Sequence, residues 1–151
     1  RLGETYLIAA EAAGRKRDYE LAAKYINVVR KRAAWATGEV KAPQYWKEEG
    51  GEMGNMESTY DLIKVTPDDL KTDFITFILD ERGRELLGEI YRWEDLVRCG
   101  VLYDWVMKFN KEAKAAGTMK PFHKLRPIPQ NHIDRLKPAG KIEEEQNEGY
   151  Y

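Results

Sequence analysis

Residues 78–100 read ILDERGRELLGEIYRWEDLVRCG, and the pattern in this stretch decides the fold class. Apolar side chains recur at Leu79, Leu86, Ile90, Trp93 and Val97, spaced to share one helical face. Ten of its side chains are charged, and all four bases are arginine. No lysine occurs between Lys71 and Lys108. Opposite charges fall three or four residues apart: Glu81 with Arg84, Arg82 with Glu85, Glu89 with Arg92, and Glu94 and Asp95 with Arg98. Two readings follow. One is a salt-bridged surface helix, worth a few tenths of a kcal/mol per pair. The other is a partly buried ionic junction, for which a planar guanidinium fork suits a carboxylate better than lysine does. Gly83 and Gly88 weaken the helix, which predicts a break between Gly88 and Arg92 and a short helix over 93–98.

Upstream, Thr66-Pro67-Asp68-Asp69 reads as a helix start, with threonine capping, proline in the first turn and Asp69 at the capping-box position. That helix would carry Leu70, Phe74, Ile75, Ile78 and Leu79 into the opening stretch. Downstream, Gly100 stops one helix and residues 101–116 read as the next, with Leu102, Trp105, Val106 and Phe109 on one face and Gly117 at its end. At the start of the chain, residues 2–13 form a helix ended by Gly14. Asp18 caps a second helix running to about Ala36, with Tyr19, Ala22, Ala23, Ile26, Val29 and Ala33 as its apolar face. Small residues at the crossing make this pair similar to one tetratricopeptide repeat. The fold class is therefore all-α, with five or six helices in four segments: a helix pair (1–36), an irregular loop (37–65), a helical region (66–116) and a loop-rich C-terminal wrap (117–151). In the last, a PIP run is extended and residues 130–136 make a turn or two of helix.

The opening stretch also resembles a known family. ILDERGRELLGE followed by YRWEDLVRCG is similar to the RagB/SusD pattern of an ER..EL..E segment and then RW.DL.R.G. Glu81, Arg82, Glu85, Leu86, Glu89, Arg92, Trp93, Asp95, Leu96, Arg98 and Gly100 occupy the matching positions. RLGETYLIAAEAA resembles the family's R..E.YL..AEA element, and Asn27, Arg30, Arg32 and Ala33 lie in a match to IN.VR.RA. The ending is similar too, with Pro127, Ile128 and Pro129 followed by Gln146, Asn147, Gly149 and Tyr150. Glu148 stands where the family has proline. The resemblance implies that Glu81, Arg82, Glu85, Glu89, Arg92, Trp93, Asp95 and Arg98 are structural.

Composition narrows the function classes. The 151 residues carry a formal charge of −1, without the basic excess that nucleic-acid binding requires. No apolar run approaches a membrane span. Thirteen tyrosines and tryptophans stand against four phenylalanines, favouring aromatics with a polar handle. Cys99 is the one cysteine, which leaves no intrachain disulfide and no cysteine-based zinc site. The chain opens on Arg1 within a helical pattern, which reads as the C-terminal piece of a longer protein.

Catalytic and metal motifs are weak. His123 and His132 are nine residues apart, without helical ligand spacing, and read as ordinary hydrogen-bonding or exposed histidines. Glu143, Glu144 and Glu145 read as a solvated run ahead of a calcium site. Most carboxylates have an arginine at helical spacing, which lowers a carboxylate's pKa where a general acid needs a raised one. No serine elbow, phosphate-binding loop or dinucleotide fingerprint occurs. The family resemblance implies a protein that is not an enzyme, and no cofactor or metal is expected.

The irregular loop is glycine-rich and includes Tyr45 and Trp46, with Trp35 just before it. Their rings are candidate sugar-stacking platforms; the alternative is that they anchor the loop to the core. Family resemblance implies a glycan-binding lipoprotein on the cell-surface side of an outer membrane. Its partners would be an oligosaccharide or polysaccharide and a SusC-like TonB-dependent transporter, and a lipid anchor on the preceding part would be its membrane contact. The competing reading is a tetratricopeptide-like scaffold that binds a peptide or protein. A glycoside hydrolase fragment is a third, and would need two unpaired acids facing a cleft.

Overall fold

The computed structural model describes residues 1–36, 47–48, 51–52, 59–136 and 140–151. The described residues are all-α apart from one tiny ladder. Nine α-helices occur among them, more than the five or six expected, because two long helices are broken and short turns add others. The chain divides into two units, Arg1–Ile90 and Tyr91–Tyr151.

The first unit begins with α1 (Leu2–Arg15) and α2 (Tyr19–Ala33), which pack together. Gly14 does not end α1. The stop comes three residues later, where Arg17 takes a left-handed φ of 64°. The Arg17 N–H donates to Gly14 and that of Asp18 to Ala13, closing a Schellman turn in which arginine occupies the usual glycine position. Asp18 then caps α2 by accepting from the Leu21 N–H at 3.0 Å. Gly14 is needed for another reason. It is buried, and a Cβ there would fall on the Phe74 ring. Gly3, near the other end of α1, meets the Glu85 carboxylate in the same way. These two contacts lay α1 antiparallel against α4 (Phe74–Glu85).

Leu7, Ile26, Leu70 and Ile78 are fully buried in the core between these helices, with Ala10, Ala13, Ala22 and Ala23 closing the crossing. Each large apolar side chain contributes roughly 1.5–3 kcal/mol. Ala33 is exposed, and α2 stops there. Lys47–Glu48 (β1) and Gly51–Glu52 (β2) pair antiparallel, with Lys47 opposite Glu52. A single turn, α3 (Tyr60–Ile63), follows. Next, Asn27 clamps the backbone of Val65: its Nδ2 donates to the Val65 carbonyl and its Oδ1 accepts from the Val65 N–H, both at 2.7 Å.

The Thr66–Asp69 capping box forms, with the Thr66 N–H and hydroxyl donating to Asp69. It closes only a 3₁₀ turn, Asp68–Leu70. The α-helix starts afresh at Phe74, capped by Asp73, which accepts from the Thr76 N–H. It ends at Glu85. Ile90, expected on the same apolar face as Leu79, has φ 72° and is 89% exposed. The break therefore resets the helical phase.

The second unit contains α5 (Tyr91–Arg98), α6 (Leu102–Phe109), α7 (Lys111–Ala116), a 3₁₀ turn (Pro121–Lys124), α8 (Gln130–Ile133) and α9 (Ile142–Glu145). Residues 101–116 are two helices because Asn110 takes an extended ψ and caps α7 through the Ala113 N–H. The C-terminal segment holds the PIP run by side chain to backbone bonds. Pro127 and Pro129 lack N–H groups, so Ile128 has the one donor in the triplet. Gln146 accepts that N–H at 2.7 Å and donates to the Ile128 carbonyl at 2.9 Å. Asn147 donates to the Arg126 carbonyl, and the Tyr150 hydroxyl to that of Leu125. Gly149, at φ 87°, lets the chain pass against the Phe122 ring.

Candidate functional site

In the first unit, chemistry concentrates where α2, α3 and α4 meet. Arg30 of α2 grips Glu81 of α4 with its planar fork: Nε to Oε1 at 2.9 Å and Nη2 to Oε2 at 2.7 Å. Its remaining amino group donates to the Ile63 carbonyl at 2.5 Å, tying in α3. Arg84 adds a third bond to Glu81 Oε2 at 2.6 Å. Beside them, Arg32 Nη2 donates to both oxygens of Glu85 at 2.7 and 2.6 Å. Glu81 is 4% exposed. Burial would raise its pKa, but the hydrogen bonds from Arg30 and Arg84 outweigh that and hold the carboxyl below its ordinary value. Such a group is a fixed anion, the opposite of a general acid.

An open groove of about 420 Å³ borders this junction. Val29, Ala33 and Ile63 supply its apolar lining, and Arg30, Glu81, Arg84 and Glu85 its charged lining. The base of the irregular loop lies beside it in sequence, two residues after Ala33. There the Trp35 N–H donates to Thr59 Oγ1 at 2.9 Å, and the Thr59 N–H donates back to the Trp35 carbonyl at 3.1 Å. The staple ties Trp35, just before the loop, to Thr59 within it, and Trp35 is half-buried. Tyr45 and Trp46 lie outside the described residues.

The other motif residues divide between the units. Arg82 is buried, with Nη2 4.0 Å from Glu4, and Glu89 pairs with Arg1. In the second unit, Arg98 bonds Asp95 through Nε at 2.9 Å and Nη2 at 2.8 Å, and Asp95 is buried. The Arg92 guanidinium lies 4.6 Å from the centre of the Trp105 ring. Trp93 is 39% exposed. His123 Nδ1 accepts from the Lys120 N–H at 3.2 Å, and its ring packs on Phe122 and Tyr150. No cluster of three or more metal-ligating side chains occurs among the described residues. None of the described helices is long and apolar enough to cross a membrane.

Sequence comparison matches residues 1–150 to the SusD family (SusD_RagB). The chain belongs to the SusD family. A curated relative, SusD-like protein P25 of Formosa agariphila, is 30% identical over 152 aligned residues. The alignment takes in 99% of this chain and 24% of the relative, so the chain spans about a quarter of that protein's length. No solved structure matches the chain. Family motifs that look separate in sequence meet in space here: Arg30 and Arg32 of the IN.VR.RA element hold Glu81 and Glu85 of the ER..EL element. Local spacing offers no signal for this, because 51 residues separate Arg30 from Glu81.

Proposed function

We propose that this SusD-family chain is part of a non-enzymatic glycan-binding protein that serves nutrient uptake at the cell-surface side of an outer membrane. The family match over residues 1–150 carries the reading. The protein would hold an oligosaccharide or polysaccharide by ring stacking and hydroxyl hydrogen bonds, and pass it to a SusC-like TonB-dependent transporter. No covalent bond is made or broken. Tyr45 and Trp46 are the proposed ligand contacts on the loop, with Trp35 at its stapled base. A flat ring matches the apolar C–H face of a pyranose. A lipid anchor elsewhere in the protein would hold it at the membrane.

Calorimetric titration with plant, host and microbial oligosaccharides tests this reading, with Trp46→Ala alongside. Binding by the wild type that is weakened tenfold or more in the variant supports a loop contact. Binding unaffected by Trp46→Ala removes that contact. A folded chain that ignores every glycan but takes up peptides would favour the tetratricopeptide-like scaffold instead.

A further inference from the structure

We infer that the groove between α2, α3 and α4 binds the carboxylate of an acidic sugar, so that the glycan taken by this chain contains uronate residues. The inference rests on the glycan-binding reading and specifies its substrate class. Three features support it. The first is the arginine content: Arg30 and Arg84 line the groove with Glu81 and Glu85, and Arg32 stands beside it on Glu85. Arg32 holds Glu85, and Glu81 is shared between Arg30 and Arg84, so both carboxylates in the lining are already engaged by arginine.

The second is how the guanidiniums are placed. Arg30 has 20% of its side chain exposed, whereas Arg84 has 59% exposed and lines the groove. Arg84 gives one amino group to Glu81. Its other donors meet no acceptor among the described residues. A guanidinium with free donors beside an anchored one binds a carboxylate well, because its position is already fixed by Glu81.

The third is the shape and lining of the groove. About 420 Å³ falls within the range of small-ligand sites. Val29, Ala33 and Ile63 offer an apolar surface to the C–H face of a sugar ring while Arg84 meets its acid.

The test is calorimetry on the 151-residue chain with tetrasaccharides of galacturonate, glucuronate and mannuronate, their methyl esters, and an acetylated tetraglutamate amide. Arg84→Gln removes the charge from an exposed position. Ala33→Phe fills the groove from an exposed helix site and leaves the charges in place. Circular dichroism checks that both fold. The expected result is binding of at least one uronate, with its ester about tenfold weaker or worse. Arg84→Gln should weaken the acid about ten- to a hundredfold and leave the ester unchanged. Ala33→Phe should weaken both, and added salt should weaken the acid alone. Equal binding of acid and ester, or acid binding untouched by either variant, overturns the groove while leaving a loop-based glycan site standing. Binding of neutral glycans with no uronate binding does the same. Tetraglutamate binding as well as the best uronate overturns the choice of sugar. Failure of the folded chain to bind any glycan overturns this inference and the loop contact, and leaves the family-based reading of the whole protein standing with its site outside these residues.

Discussion

The two units contain the same device in different surroundings. In the first, the Asn27 carboxamide clamps both backbone groups of Val65. In the second, the Gln146 carboxamide clamps both backbone groups of Ile128. Val65 is buried beside a core that includes Leu7, Ile26, Leu70 and Ile78. Ile128 lies in an extended run between two prolines, with Leu125 and Arg126 exposed before it. The first clamp locks a segment already held by apolar packing. The second is one of several polar bonds that supply most of what holds its segment, along with the edge-to-face contact of Phe122 and Tyr150. One unit is ordered chiefly by burial, and the other more by directed hydrogen bonds.

The largest expected effect falls in the burial-dominated unit. Glu81→Gln leaves Arg30 without its carboxylate and should cost about 3–5 kcal/mol in urea unfolding. A loss below about 1 kcal/mol would mean that the junction behaves as a surface ion pair. The pH dependence sharpens the point. Because the folded carboxyl titrates below its ordinary 4.5, the unfolded chain takes up this proton first as pH falls. The pair's stabilisation is thus present above 4.5 and is lost as pH drops through the lowered folded value. Acid unfolding of Glu81→Gln should lack that component.

Gly14→Ala comes next. The added methyl meets the Phe74 ring, and the overpacking should cost about 1–3 kcal/mol in the same denaturation experiment. Combining it with Phe74→Leu should restore part of the loss. A double variant whose losses simply add would deny that the two positions share a contact.

The smallest effects compare the clamps directly. Asn27→Ala should cost about 1–3 kcal/mol, since it strands two backbone groups near the core. Gln146→Ala should cost about 0.5–1.5 kcal/mol, since water reaches its partner more easily. Amide hydrogen exchange separates them: the first should speed exchange through α2 and α4, the second only around Ile128. Equal costs and equally spread exchange would dissolve the contrast between the units.

Much of the helical layout is legible in the chain, because caps and periodicity are local. Asp18 and Gly100 perform the roles their residue types suggest. The exclusive use of arginine left a surface helix and a partly buried junction both open, and the structure buries Glu81 and Asp95 against arginines three residues on. Other features were misread where one residue type serves two ends. Gly14 looks like a helix stop but is a point of close approach, and the stop falls on Arg17, a poor residue for a left-handed turn. Thr66 and Asp73 are successive start signals, and spacing does not say which one opens the α-helix.

By itself, then, the sequence determined helix content, most turn positions and family membership, all set by short-range chemistry and ordered motifs. Tertiary structure alone decided that Arg30 takes Glu81 rather than a helical neighbour, that Asn27 finds Val65, and that a groove opens beside the Arg30–Glu81 junction. Those contacts join residues 38 to 51 positions apart, and no local periodicity encodes which distant partner a side chain meets once the core has closed.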